Sequence, residues 1–491
     1  MREPVPATGS AGGLVSTDQW RLTSLADEFI WVAYAALGSI LCLTRFVGLG
    51  RGLWLDEVIT VEEFVRGGPH AILVGTYLPN NHELFSLLAW ATTAVAGESE
   101  IALRVWSVVP FLAGVTLVTA WLHVRVSPLS GVLFLFLATG SPLLLDITPT
   151  ARGYGLAFSA MSIVVVGALE ADRSGRSSWL FALFAGGVIG MWTVPNFTIA
   201  FFATAAVLLF KPELRRRVLA GSAAAALAVV AWYAPHVGSV FANSGQGYGV
   251  EVDLAGLVTS PLDQILLPAL LWYDGVVPAA PEVLVPVAVL AIVVMASSPL
   301  LGRNLATAVL VSGVLATMLA VWYLQLTIVP RFLSFLLVPL FMLAASGAAA
   351  IVGGRGARPP LLRFLLVVAA LTALAFSFGH SIVEISRSPR EATKDAAELI
   401  RAVAPPGTRV YPNMVAPRTL AFYLRERLEP RPAQSDVTVM CTSRTPVVLV
   451  SQPFRLEPLR VPCLRRPGVR LFRVEQYARG GAINVWLIPP R

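Results

Sequence analysis

The sequence predicts an α-helical polytopic membrane protein of about eleven transmembrane helices, followed by a small C-terminal extracytoplasmic α/β domain. Two observations carry the prediction. Of 491 residues, 56% are apolar and only 13% charged, whereas soluble domains average about 45–50% and about 25%. The apolar residues also fall in long runs, and roughly 20 such residues make one crossing of a bilayer. A soluble enzyme and a disordered chain are excluded by composition, and an outer-membrane barrel by the absence of short alternating segments. The net charge of +8 comes from arginine, since Lys211 and Lys394 are the only lysines. It reads as a compositional bias, and no nucleic-acid partner is expected.

After a mixed polar tail (1–28) expected in the cytoplasm, spans are predicted near 29–43, 101–122, 128–146, 153–171, 179–192, 195–210, 218–236, 281–300, 305–329, 331–352 and 364–383. The first run is too long for a signal-peptide core and is read as uncleaved. Arginine placement sets the orientation. With the N-terminus inside, the inside loops hold Arg125, then Arg173 and Arg176, then Lys211 and Arg215 to Arg217, then Arg303, then Arg355, Arg358 and Arg363. The loop 237–280 then lies outside, with Glu251, Asp253, Asp263 and Asp274 and no Lys or Arg. Counting 83–96 as a further span would invert every later loop, so it is read as an amphipathic helix on the outer surface. The expected location is the plasma membrane, with a domain over 29–383, a first outer loop over 47–100 and an extracytoplasmic domain over 384–491.

That last segment is not membrane-like. Ser388, Pro389 and Glu391 read as cap, first-turn proline and capping-box acid of a helix running to Val403. A strand at 409–411, a helix at 416–427 and strands at 447–451, 469–474 and 483–488 follow. Cys441 and Cys463 both fall here, where export permits a disulfide, although spacing alone leaves two free thiols equally open. Cys42 lies in the first span and reads as a packing residue.

Chemistry concentrates at the mouths of spans. Asp56 and Glu57 follow the first span, in a loop that also holds Asn80, Asn81, His82 and Glu83, while Arg104, Arg152 and Arg331 stand at the mouths of later spans. Adjacent acids at a helix start need no function, arginines at span ends can snorkel, Trp54 and Tyr154 suit an aromatic belt, and His82 suits a surface helix. Carboxylates beside several arginines at one membrane face point instead to general-base chemistry on an anionic, phosphate-bearing substrate. The acids at 251–274 could hold a divalent cation, but read better as a solvated loop; the glycine-rich 244–249 reads as a flexible gate.

In the order Trp54-Leu55-Asp56-Glu57, Asn80-Asn81-His82-Glu83-Leu84-Phe85, Ser99-Glu100-Ile101-Ala102-Leu103-Arg104, Ala151-Arg152-Gly153-Tyr154 and Pro330-Arg331-Phe332-Leu333, the chain resembles the GT-C glycosyltransferases. The closest branch holds the protein O-mannosyltransferases, aminoarabinose transferases and RgtA-like enzymes. The resemblance covers about residues 29–355. It implies inverting transfer of a sugar from a polyprenyl-phosphate donor to a glycan, glycolipid or protein acceptor of the cell envelope. It makes Asp56 the base and Glu57 its supporting residue, and it assigns Arg104, Arg152, Tyr154, Arg331 and His82 to the donor phosphate or substrate. Two departures stand out: Thr150 occupies the place of a glutamate common in relatives, and Glu83-Leu84 follows His82 in place of two prolines. No particular cofactor is implied, and a divalent cation is left open. The competing class is a transporter or lipid flippase, whose signature would be charges or helix breakers in mid-span. Here polar residues gather at the mouths.

Overall fold

The computed structural model describes residues 17–239, apart from 77, 79 and 80, and 294–490, apart from 324–329, 354–360, 388–391, 414–416, 426–427, 429–435, 452–461 and 476–481. The expected acidic loop at 237–280, its glycine-rich stretch and the start of the span at 281–300 lie outside the described residues.

A long helix α1 (Thr17–Val47) leads into a first loop carrying α2 (Leu55–Ile59), a π-helical turn (Thr60–Val65), α3 (Gly68–Leu73) and α4 (Glu83–Ala96). The bundle continues through α5 (Glu100–Arg125), α6 (Pro128–Gly140), α7 (Pro142–Ile147), α8 (Tyr154–Ser174), α9 (Ser177–Thr193), α10 (Phe197–Val207) and α11 (Pro212–Tyr233). Helices Asn304–Tyr323, Leu337–Val352 and Leu361–Arg387 complete it. Among the described residues, six helical segments are long and apolar enough to cross a membrane: Glu28–Val47, Glu100–Arg125, Tyr154–Ser174, Pro212–Ser239, Arg331–Val352 and Leu361–Val383. Others among the expected spans are shorter apolar helices, such as Ser177–Thr193 and Asn304–Ala320.

The centre of the bundle is α8, which is buried along almost its whole apolar length. Glycines allow this. A Cβ on Gly155 would meet the Ser107 carbonyl at 2.0 Å, and one on Gly114 would meet the Ser159 Cα at 2.8 Å, so α5 and α8 approach backbone to backbone.

The expected span at 128–146 is not one helix. It breaks at Ser141, because Pro142 has no N–H to give the Ala138 carbonyl. Arg45 fills the gap: Nη2 donates to the Ala138 carbonyl at 3.1 Å and the guanidinium also reaches the Thr139 carbonyl at 3.4 Å. A cation is doubly suited there, at the negative end of α6. At one end of the bundle Arg125 and Arg173 converge on Glu170, and Lys211 pairs with Asp172.

The C-terminal segment forms a four-stranded sheet of order β1-β2-β4-β3, with β1 (Arg409–Asn413) parallel to β2 (Val447–Ser451) and β3 (Arg470–Glu475) and β4 (Ala482–Ile488) antiparallel. Pro412 is tolerated because β1 is an edge. In β2, Val448 and Val450 pack under helices Thr393–Val403 and Pro417–Leu424, while Val447 and Leu449 enter a second core with Cys441 and Cys463. The unbroken apolar run Val447–Val450 thus serves both faces. Cys441 and Cys463 form a disulfide with Cα atoms 5.5 Å apart. The helix expected to be capped at Ser388 is seen from Thr393, residues 388–391 lying outside the described ones, and a helix at Asp436–Thr442 was not expected.

Candidate functional site

The short helix α2 sends its two acids in different directions, as a rotation of about 100° per residue requires. Asp56 turns toward the mouths of two later helices. Its Oδ2 accepts from Arg331 Nη2 at 3.0 Å and lies 3.5 Å from Arg152 Nη1. Oδ1 makes no hydrogen bond among the described residues, and the side chain is 15% exposed.

Glu57 turns inward and is wholly buried. Oε1 accepts from Arg104 Nε at 2.9 Å and from the Ala151 backbone N–H. Oε2 accepts from Arg104 Nη2 at 2.7 Å and from the Trp54 backbone N–H at 3.0 Å. The remaining Arg104 donors reach the carbonyls of Gly48, Leu49, Arg51 and Gly52. Every N–H of Arg104 is therefore engaged within the protein, where it closes the exposed C-terminal carbonyls after α1. Arg104 and Glu57 therefore meet each other rather than the space beside Asp56. Arg104 is a buried strut whose five N–H groups are all spent on protein acceptors, and Glu57 is its counter-charge, facing away from Asp56.

His82, Arg152 and Tyr154 do come together beside Asp56. The Gly153 N–H donates to His82 Nδ1 at 3.0 Å, so the neutral ring carries its proton on Nε2. Burial first, and then the charges of Arg152 and Arg331, hold this imidazole neutral. Its Nε2 sits 3.0 Å from Arg152 Nη2, which also reaches Tyr154 Oη at 3.4 Å, so two donors lie side by side and one acceptor oxygen could bridge both. Tyr154 packs edge-on to His82, and Arg152 lies over its ring at 5.5 Å. Arg331 is held between Trp54 and Phe332, its guanidinium 5.2 and 5.6 Å from their rings. Its Nε is buried without an acceptor among the described residues. The cluster thus offers one carboxylate and an excess of donors, an arrangement suited to an incoming anion.

Two features carried no sequence signal. Glu83, at the start of α4, is fully buried with Oε1 2.8 Å from His236 Nε2, and burial raises its carboxyl to about 8. His236 Nδ1 faces the Leu73 carbonyl at 2.9 Å and donates to it, so a neutral ring presents Nε2 as an acceptor toward Glu83. The C-terminal segment also grips the first loop: Arg418 pairs with Glu62 and Glu63, Lys394 with Glu100 at 2.7 Å, and Tyr423 Oη accepts from the Leu53 N–H. Among the described residues no three His, Cys, Asp or Glu side chains gather as a metal site would require.

Fold and site together define a polytopic helical membrane protein with a carboxylate and arginine cluster at one end of its bundle. The particular fold is the GT-C fold. The chain superposes on ArnT from Cupriavidus metallidurans in the apo state with a TM-score of 0.56 at 13% identity, over 93% of this chain and 97% of that one. It superposes on the same protein bound to undecaprenyl phosphate with a TM-score of 0.54 at 14% identity, over 93% and 98%. No protein-family model and no curated protein sequence matches the chain.

Proposed function

We propose that the chain is a glycosyltransferase of the outer membrane face, moving a sugar with inversion from a polyprenyl-phosphate donor to a hydroxyl of a cell-envelope glycan, glycolipid or protein. The observation that carries this reading is Asp56, held by Arg331 and Arg152 with Oδ1 unengaged among the described residues. ArnT, whose fold this is, is described in complex with undecaprenyl phosphate, which supports a lipid-phosphate donor.

Asp56 Oδ1 takes the proton of the acceptor hydroxyl while that oxygen attacks the anomeric carbon. The carbon–oxygen bond to phosphate breaks on the opposite face, and the electron pair leaves on the polyprenyl phosphate. Charge growing there is met by Arg331, Arg152 and the Nε2–H of His82, donors already fixed by packing. Asp56 is counter-ion to the two arginines; a bound phosphate competes for them and releases the carboxylate for the acceptor. Arg104 and Glu57 hold the loop in place and touch neither substrate.

The cluster of Arg125, Arg173 and Lys211 at the bundle end opposite Asp56 supports this orientation, since basic residues are biased toward the cytoplasmic side. Residues 1–28 form the inner tail, 29–383 the transferase domain and 384–491 the outer domain.

The test is purified protein in nanodiscs given radiolabelled polyprenyl-phosphate sugars with hydroxylic acceptors. Transfer or donor hydrolysis that requires Asp56 supports the reading. Movement of intact lipid-linked sugar between leaflets without cleavage, in sealed vesicles, would replace it with a flippase.

A further inference from the structure

A cavity of about 390 Å³ lies between the first loop and the C-terminal segment, within the roughly 300–1,000 Å³ of small-molecule sites. Its walls come from Leu53, the start of α5, and the helices Thr393–Val403 and Pro417–Leu424. Most of the lining is polar, which a lipid tail would avoid and a carbohydrate would use.

The charges are not balanced. Arg66 is neutralised by Glu98 and Lys394 by Glu100, both at 2.7 Å. Arg401 spends Nη2 on the uncharged Tyr423 carbonyl. The Arg425 side chain makes no hydrogen bond or ion pair among the described residues, its backbone N–H alone donating, to the Ala421 carbonyl. Against these two cations the lining sets one further acid, Glu398. Arg425 also holds a left-handed backbone, with φ of 56°, a conformation costly for a side chain of this size. The fold keeps an arginine, rather than glycine, at the rim of a cavity whose cationic side is in excess.

We propose that this cavity binds an anionic saccharide, with Arg425 and Arg401 meeting its carboxylate and Glu398 taking its hydroxyls. Resting on the glycosyltransferase reading, the saccharide is part of the acceptor. Leu53 lines the cavity and donates its N–H to Tyr423, and Asp56 follows three residues later. An acceptor seated against Tyr423 therefore shares a wall with the helix that carries the base.

The experiment is calorimetric titration of the full-length protein in nanodiscs with trigalacturonate, maltotriose and inorganic phosphate, repeated with Arg425→Gly. Glycine accepts the left-handed backbone, so this variant removes charge without strain. Trigalacturonate should bind at least about tenfold more tightly than maltotriose, and Arg425→Gly should weaken it by about tenfold or more, the loss expected of one charge-assisted hydrogen bond. Equal binding of the two sugars, no binding, or full displacement by phosphate at equal concentration overturns the site. Donor cleavage is measured on the same preparation. A protein that cleaves donor but ignores trigalacturonate refutes this inference alone, whereas one that binds trigalacturonate but never cleaves donor keeps the site and loses the transferase.

Discussion

Arg331 donates to Asp56 across 275 residues of sequence, at 3.0 Å, and so joins the first loop to the mouth of a helix near the end of the bundle. The pair defines two roles that substitution can separate, base and phosphate ligand.

Asp56→Asn keeps the size and the hydrogen bond but cannot take a proton. Turnover should fall ~10²–10⁴-fold with donor affinity retained. Glu57→Gln should act on a different quantity. It leaves the wholly buried Arg104 without its counter-charge, and breaking one partner of such a pair costs about 3–5 kcal/mol. Thermal unfolding of the two variants beside their turnover checks both: a destabilised Asp56→Asn with a stable, inactive Glu57→Gln would reverse the assignment.

The division between these acids shows where sequence stops informing. Long apolar runs made most of the helical segments legible, and short runs rich in β-branched residues made β2 and β4 legible, because both signals are local. Asp56 was legible through its place after the first span and through motif order. Arg104 was not: its position at a span mouth looks the same as that of Arg152, and only folding reveals four loop carbonyls and Glu57 around it. Arg45 was opaque for the same reason, since the helix end it closes lies more than ninety residues on. The grip of Arg418, Lys394 and Tyr423 on the first loop joins residues roughly three hundred positions apart, and nothing in either stretch announces the other. Helix 128–146 failed at Pro142, where a missing donor outweighed an apolar run.

Arg331→Lys tests the phosphate ligand. Lysine keeps the charge but loses the planar fork that can hold a carboxylate and a phosphate together, and it stacks less well between Trp54 and Phe332. The variant should insert and fold as wild type, with donor KM raised and maximal turnover lowered. Steady-state kinetics indistinguishable from wild type would return Arg331 to a purely interfacial role.

Orientation is checked by cysteine labelling on intact cells in a Cys42→Ala background, where the disulfide leaves no other free thiol. His70→Cys in the first loop should react with a membrane-impermeant maleimide, and Arg176→Cys, at the opposite end beside the Glu170 cluster, should react only after permeabilisation. Both side chains are exposed, so accessibility reports the side of the membrane. The reverse pattern would place the site in the cytoplasm and remove the polyprenyl-phosphate donor of the outer face.

Glu83 makes stability depend on pH in a predictable direction. Its carboxyl is raised by burial from an ordinary value of 4.5 to about 8, so the folded protein keeps a proton that the unfolded chain has already released. A group raised in this way contributes fully below its unfolded value, and the contribution is lost as pH rises toward the folded one. Wild-type stability should therefore decline between about pH 4.5 and pH 8, apart from any other titration. Glu83→Gln cannot ionise, yet its amide still donates to His236 Nε2 in place of the protonated carboxyl. The two proteins should melt at similar temperatures near pH 5, and the Gln variant should melt higher near pH 9, with the difference opening across that interval. Parallel melting curves over the whole range would show that Glu83 is ionised throughout and that its contact with His236 is an ordinary ion pair.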